Sequence, residues 1–196
     1  MRLLAFAASL RRDSLNKKLL ALAAERLRAL GAEVDHADFA DFDAPLYNAD
    51  LQHSAGFPPG VEAFVHRLQA VDGLMIASPE YNYSLPGTLK NLIDWASRVR
   101  PVPFRGKSGV LLAASNGVIG GIRGLWQLRI PLEGNGVFLY PDMFALASAG
   151  QAFDDEGRLR DAALAERLEH LLVGYLAAGR KLAGKEEEEE KLTGED

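Results

Sequence analysis

The feature that most constrains the fold of this chain is a set of short runs that are apolar at every position rather than at every second one. Leu3-Leu4-Ala5-Phe6-Ala7-Ala8, Gly73-Leu74-Met75-Ile76-Ala77 and Val110-Leu111-Leu112-Ala113-Ala114 show no alternation. A strand sends successive side chains to opposite faces, so a run of this kind has no side that can face water. Such strands belong to a parallel sheet covered by helices on both faces. The intervening sequence carries the matching helical spacing. Leu15, Leu19, Ala23, Leu27 and Leu30 fall on one face of a helix over Ser14–Leu30, and Gly31 ends it. Further helices are expected over Pro59–Ala70, after Pro86-Gly87 with Leu89, Leu92, Ile93 and Ala96 inward, over Gly120–Leu132 with an interruption at Pro131, and over Asp161–Ala183. The strands are Arg2–Ala8, Glu33–Asp38, Gly73–Ala77, Ser108–Ala114 and Val137–Tyr140, with a polar loop over Asp41–Asn48. Strands alternating with helices in this way give an α/β fold, a doubly wound five-stranded parallel sheet with helices on both faces.

With 196 residues the chain is expected to form one domain, residues 1–184, followed by an acidic tail, residues 185–196. The tail holds Glu186–Glu190 in a row and carries the whole formal charge of −5, which leaves a neutral body. A neutral body gives no electrostatic reason to bind nucleic acid or a membrane surface. No apolar stretch approaches the roughly 20 residues of a membrane span, and no secretory signal is expected. The absence of cysteine excludes disulfides and thiolate nucleophiles and fits a cytoplasmic protein. His36, His53, His66 and His170 lack metal-ligand spacing, so no metal is expected, and no Gly-x-Ser-x-Gly elbow marks a serine hydrolase.

In an open α/β sheet, ligands bind outside the carboxyl ends of the strands. Three loops at those ends carry functional groups. After strand one comes Ser9-Leu10-Arg11-Arg12-Asp13-Ser14-Leu15-Asn16. Ser14 is a good N-cap, the helix start offers free N–H groups, and Arg11 can present a guanidinium fork to an anion. This turn lacks the glycines and the Gly-Lys-Ser/Thr ending of loops that wrap di- and triphosphates. Its side-chain donors suit a single terminal phosphate. After strand three comes Ser78-Pro79-Glu80-Tyr81-Asn82-Tyr83-Ser84-Leu85-Pro86-Gly87, stiffened by two prolines and able to meet the edge of a planar heterocycle. After strand four comes Ser115-Asn116-Gly117-Val118-Ile119-Gly120-Gly121, where glycine permits close backbone approach.

The first loop, together with the stretch from Ser78 to Trp95, resembles the NADPH-dependent FMN reductase family, which includes quinone, azo-dye and chromate reductases. The resemblance runs from about Arg2 to Ala183 and implies a flavodoxin-like sheet with strand order 2-1-3-4-5. It implies that Ser9, Arg11, Ser14, Leu15 and Asn16 hold the FMN phosphate. Pro79, Glu80, Tyr81 and Asn82 would line the isoalloxazine ring, and Ser115, Asn116 and Gly117 would close its other side. Ala8 stands where the family often has glycine, and Asp13 adds a negative charge to the phosphate turn. The implied reaction is a ping-pong oxidation of NAD(P)H as co-substrate, with electrons passing through bound FMN to a quinone-like acceptor. It needs no protein general base, so no catalytic side chain is nominated. Glu80 is read as a structural part of its loop. A homodimer or homotetramer is also implied, with Pro45-Leu46-Tyr47-Asn48 near the partner's flavin. The alternatives are a flavodoxin-type electron carrier and a redox-sensing flavoprotein, neither of which turns over NAD(P)H.

Overall fold

The computed structural model describes residues 1–184, and the acidic tail lies outside the described residues. The elements are β1 (Arg2–Ala7), α1 (Leu15–Ala29), β2 (Glu33–Ala37), a 3-10 turn (Phe39–Phe42), α2 (Ala49–Ala55), α3 (Pro59–Gln69), β3 (Gly73–Ala77), α4 (Gly87–Ala96), β4 (Ser108–Ala114), α5 (Ile122–Gly134), β5 (Phe138–Leu139), β6 (Phe144–Leu146) and α6 (Ala162–Leu182). The sheet is parallel with order β2-β1-β3-β4-β5, as expected, and β6 also pairs with β4.

The wholly apolar strands are buried on both sides. Leu4, Phe6, Leu74, Ile76 and Leu111 face α3, α4 and α5. Leu3, Ala5, Met75, Val110 and Leu112 face α1 and α6. On the first face, Phe6 stacks on Phe39 and meets Phe42 and Phe64 edge-on, so the 3-10 turn is fastened by aromatic packing. On the second, the fully buried Tyr175 donates its hydroxyl to the carbonyl of Leu74 at 3.2 Å and lies 3.3 Å from Ser108 Oγ. Burial raises the pKa of that phenol strongly, so it remains a neutral donor.

Three differences from the sequence expectation have physical causes. A sixth strand, β6, follows the expected fifth, which is shortened to Phe138–Leu139. β5 pairs with the start of β4, at Ser108 and Gly109, and β6 with its end, at Leu112–Ala114. Pro141, which lacks an N–H for a ladder, stands in the break. The helix expected to be interrupted at Pro131 instead runs through it to Gly134. The carbonyl that loses its partner there belongs to Gln127, which is exposed and can be solvated. Finally, α2 arises where no helix was assigned. It buries none of its residues, so it leaves no apolar periodicity to read, and Asn48 caps it by accepting from the N–H groups of Asp50 and Leu51.

Candidate active site

The sheet ladder continues one residue past each of three strands. Ala8 N–H donates to Ala77 O at 2.9 Å, Ser78 N–H to Leu112 O at 2.8 Å, and Ser115 N–H to Leu146 O at 3.0 Å. These bonds set the three loops at one level along the carboxyl edge. Ala8 takes part with ordinary backbone geometry, because the non-glycine residues with positive φ among the described residues are Asn82, Tyr83 and Ser148. The position therefore has no need of glycine.

A cavity of about 240 Å³ opens between the loops, lined by Ser9, Arg11, Ser14, Leu15, Asn16, Pro79, Glu80, Tyr81, Ala114, Ser115 and Asn116. Ten of the twelve residues nominated from sequence meet there. Asn82 and Gly117 do not line it, and Ala114, which was not nominated, does. The cavity is smaller than the roughly 300–1,000 Å³ of sites that enclose a whole ligand. It suits one end of a cofactor whose remainder lies across the open edge.

The loop after β1 runs into the start of α1. Ser14 Oγ accepts from Lys17 N–H at 3.4 Å, which caps the helix and leaves the N–H groups of its opening residues without an intrahelical partner. These groups and the positive end of the helix face the cavity side of the turn. Arg11 lines the cavity and is exposed, with no hydrogen bond or ion pair to the described residues. Asp13 is exposed and does not line the cavity. The side chain of Asn16 is committed elsewhere. Its amide donates to Ala114 O at 3.0 Å and accepts from Ala114 N–H at 2.9 Å, locking α1 to the end of β4. These two bonds fix the orientation of the Asn16 amide, which leaves its backbone N–H at the helix start as the group open to a ligand.

The loop after β3 is a tight turn. Tyr81 N–H donates to Ser84 O at 2.9 Å and Ser84 N–H donates back at 3.0 Å. Asn82 and Tyr83 stand between them with φ of 49° and 67°. The Glu80 carboxylate is committed to another element. It accepts from the N–H groups of Arg123 and Gly124 and from Arg123 Nε, all at the start of α5. Arg123 was not nominated from sequence, and no motif there marks it. In the third loop, Ser115 Oγ accepts from Gly117 N–H at 3.1 Å and Asn116 Oδ1 from Gly150 N–H at 2.9 Å. The motif residues Asn91 and Trp95 are not at the cavity. They bind Pro45 O at 2.9 and 2.8 Å, and Asn91 also accepts from Tyr47 N–H at 2.8 Å. This clamp leaves Leu46 between them 84% exposed.

A larger groove of about 780 Å³ lies between α1 and α6, away from the strand ends. Four of its charged groups pair with one another, Arg26 with Glu169 and Arg158 with Asp154, each at 2.8 Å, and Arg160 donates to Phe153 O. Among the described residues no cluster of metal-ligating side chains is present, and no helix is long and apolar enough to cross a membrane.

A free guanidinium and unpaired helix N–H groups, set beside a stiff turn, fit a cofactor with a monophosphate at one end and a flat ring at the other. Comparison with known proteins agrees. The NADPH-dependent FMN reductase family model matches residues 1–151. A Pseudomonas aeruginosa protein named NAD(P)H-dependent FMN reductase is 40% identical over 190 residues, covering 94% of this chain and 98% of the relative. A probable NADPH:quinone oxidoreductase of Oryza sativa subsp. japonica is 38% identical over 194 residues, covering 94% and 92%. The solved structure of FerB, a flavoenzyme NAD(P)H:(acceptor) oxidoreductase from Paracoccus denitrificans, superposes with a TM-score of 0.78 at 27% identity, covering 92% and 97%. The sheet order, the site at its carboxyl edge and these likenesses together establish that the chain belongs to the NADPH-dependent FMN reductase family.

Proposed function

We propose that this protein is an FMN-dependent NAD(P)H oxidoreductase that delivers electrons to quinones or similar acceptors in a ping-pong cycle. The observation that carries the reading is the convergence of Arg11, the start of α1 and the turn after β3 at one edge of the sheet. Bound FMN supplies the two-electron chemistry that joins a nicotinamide donor to an acceptor. The chain's residues bind and orient it. Ser9, Arg11, Ser14, Leu15 and the backbone of Asn16 hold the phosphate. Pro79, Tyr81 and Asn82, with the backbone of Glu80, present peptide groups and an aromatic face to the ring. Ser115, Asn116 and Gly117 bound it on the far side, and their bonds to the segment near Gly150 keep that wall in place. The Glu80 carboxylate is turned toward α5, so no side-chain general base is assigned.

The acceptor class follows from the names of the quinone oxidoreductase relatives and from the open edge, which leaves room for flat molecules of varied outline. The reading places the enzyme in the cytoplasm, where NAD(P)H is supplied. It also takes the protein as a homodimer or homotetramer. Support for that assembly is the apolar surface flanking the site, where Tyr83, Val118 and Trp126 are exposed, and the rigidly held Leu46. Light scattering on the purified protein measures the assembly.

Steady-state oxidation of NADPH and NADH by the FMN-loaded protein, with a panel of quinones, tests the function. The expected result is quinone-dependent turnover with parallel double-reciprocal lines. Absence of turnover with every quinone would leave an electron carrier or a sensor in its place.

A further inference from the structure

We infer that Glu80 is a positioning residue for the flavin, acting through the turn that carries it and through the start of α5. The inference rests on the reading that Pro79–Asn82 face the flavin ring. The Glu80 side chain is 9% exposed, and both of its oxygens are used. Oε2 accepts from Arg123 N–H at 3.1 Å and Gly124 N–H at 3.3 Å, and Oε1 accepts from Arg123 Nε at 2.7 Å. Helix α5 has no cap of its own, because Gly121 occupies the N-cap position without a side chain to donate to. A carboxylate brought from 43 positions earlier in the chain fills that role. It satisfies N–H groups that the helix leaves open and stands against the helix's positive end.

The approach is tight at Gly124. A Cβ there would stand 3.1 Å from both Cα and Cβ of Glu80 and 3.2 Å from Ser84 O, so the turn would have to give by a few tenths of an ångström. Arg123, held by Glu80, then lies over the ring of Tyr83, its guanidinium carbon 4.2 Å from the centroid. Tyr83 and Asn82 both have left-handed backbone, which residues with side chains seldom adopt unaided. The turn is thus gripped at its base by the Glu80 bonds and at its tip by Arg123. That grip fixes the direction of the peptide groups between Pro79 and Asn82, and hydrogen bonds to the flavin ring tune its electronics.

The test compares Glu80→Ala, Glu80→Gln, Arg123→Ala and Tyr81→Ala in the purified protein. FMN affinity, the visible flavin spectrum and the flavin reduction potential are measured, with amide exchange at Arg123 and Gly124 in the FMN-free protein. In Glu80→Ala, FMN binding should weaken about tenfold, as for loss of charge-assisted bonds. The spectrum and potential should shift, and the two amides should exchange faster. Glu80→Gln keeps a carbonyl oxygen for the N–H groups of α5, so it should recover most of the affinity. Arg123→Ala, which releases only the tip, should shift the spectrum in the same direction and carries the test if Glu80→Ala does not fold. If Tyr81→Ala alters affinity and spectrum while the Glu80 and Arg123 variants leave both unchanged, the positioning role is overturned and the ring-facing turn stands. If none of the four alters the flavin, the placement of the ring beside this turn fails, and the inference fails with it.

Discussion

Arg11 and Asn16 sit in the same turn and look alike as candidate anion ligands, yet their side chains have opposite fates. The Arg11 guanidinium is exposed at the cavity and unpaired among the described residues. A charge-assisted hydrogen bond is worth about 1.5–3 kcal/mol, so Arg11→Ala should weaken FMN binding roughly 10- to 150-fold. The unfolding midpoint of the FMN-free protein should not move. Titration of the flavin's fluorescence against the variant checks this, and an unchanged affinity would remove Arg11 from the site. Asn16 should behave in the reverse way. Its two bonds to Ala114 are buried, and Asn16→Ala leaves a backbone N–H and C=O without partners, at a cost of about 1–3 kcal/mol for each group that stays unsatisfied. Urea unfolding of the FMN-free protein should show the loss. Sequence reasoning could not separate the two residues, because an Asn near a helix start serves a ligand or a neighbouring strand equally well. The partner that decides it lies 98 positions away. For Glu80 the sequence did suggest a structural role, but the partner at Arg123 carries no local signal.

Among elements, α5 shows how glycine position sets the geometry of the site. Gly124 faces the backbone of Glu80, whereas a Cβ at Gly134 would meet nothing within 4 Å. Replacing a helix glycine whose backbone suits alanine stabilises by about 0.4–1 kcal/mol. Gly134→Ala should follow that rule. Gly124→Ala should lose the gain and also weaken FMN binding, because the turn after β3 must move. Paired thermal unfolding and FMN titration of the two variants separate the effects. The 3-10 turn between β2 and α2 supplies a pH prediction. Asp38 caps it, and its carboxyl is held below the usual carboxylate range, chiefly by Ala40 N–H and further by Lys17. A carboxyl depressed on folding adds stability above its unfolded pKa and loses it as pH falls through the folded value. Asp38→Ala should therefore melt slightly below the parent protein at pH 7, the effect being small for so exposed a group. The gap should narrow below about pH 4 and vanish once Asp38 is protonated in the folded protein. The helices with strong periodicity and the strands with unbroken apolar runs were legible to within a residue or two, as with α3 and β4. The weakly patterned ones were not. The presence of β6 and the existence of α2 depend on edge pairing and capping, which leave little apolar pattern behind.

At the scale of the molecule, the continuous apolar strands already implied the double covering of the sheet, and that covering explains where the site must lie. With α1 and α6 on one face and α3, α4 and α5 on the other, the carboxyl edge is where the loops after β1, β3 and β4 come together. The central claim is that this edge holds FMN where NAD(P)H can reduce it and a quinone can reoxidise it. Anaerobic titration of the purified, FMN-loaded protein tests it most directly, with absorbance of the yellow flavin followed as NADPH or NADH is added. At least one nucleotide should bleach the flavin at near-stoichiometric amounts, and a quinone should then restore the colour. A flavin that stays yellow under excess of both nucleotides would contradict it.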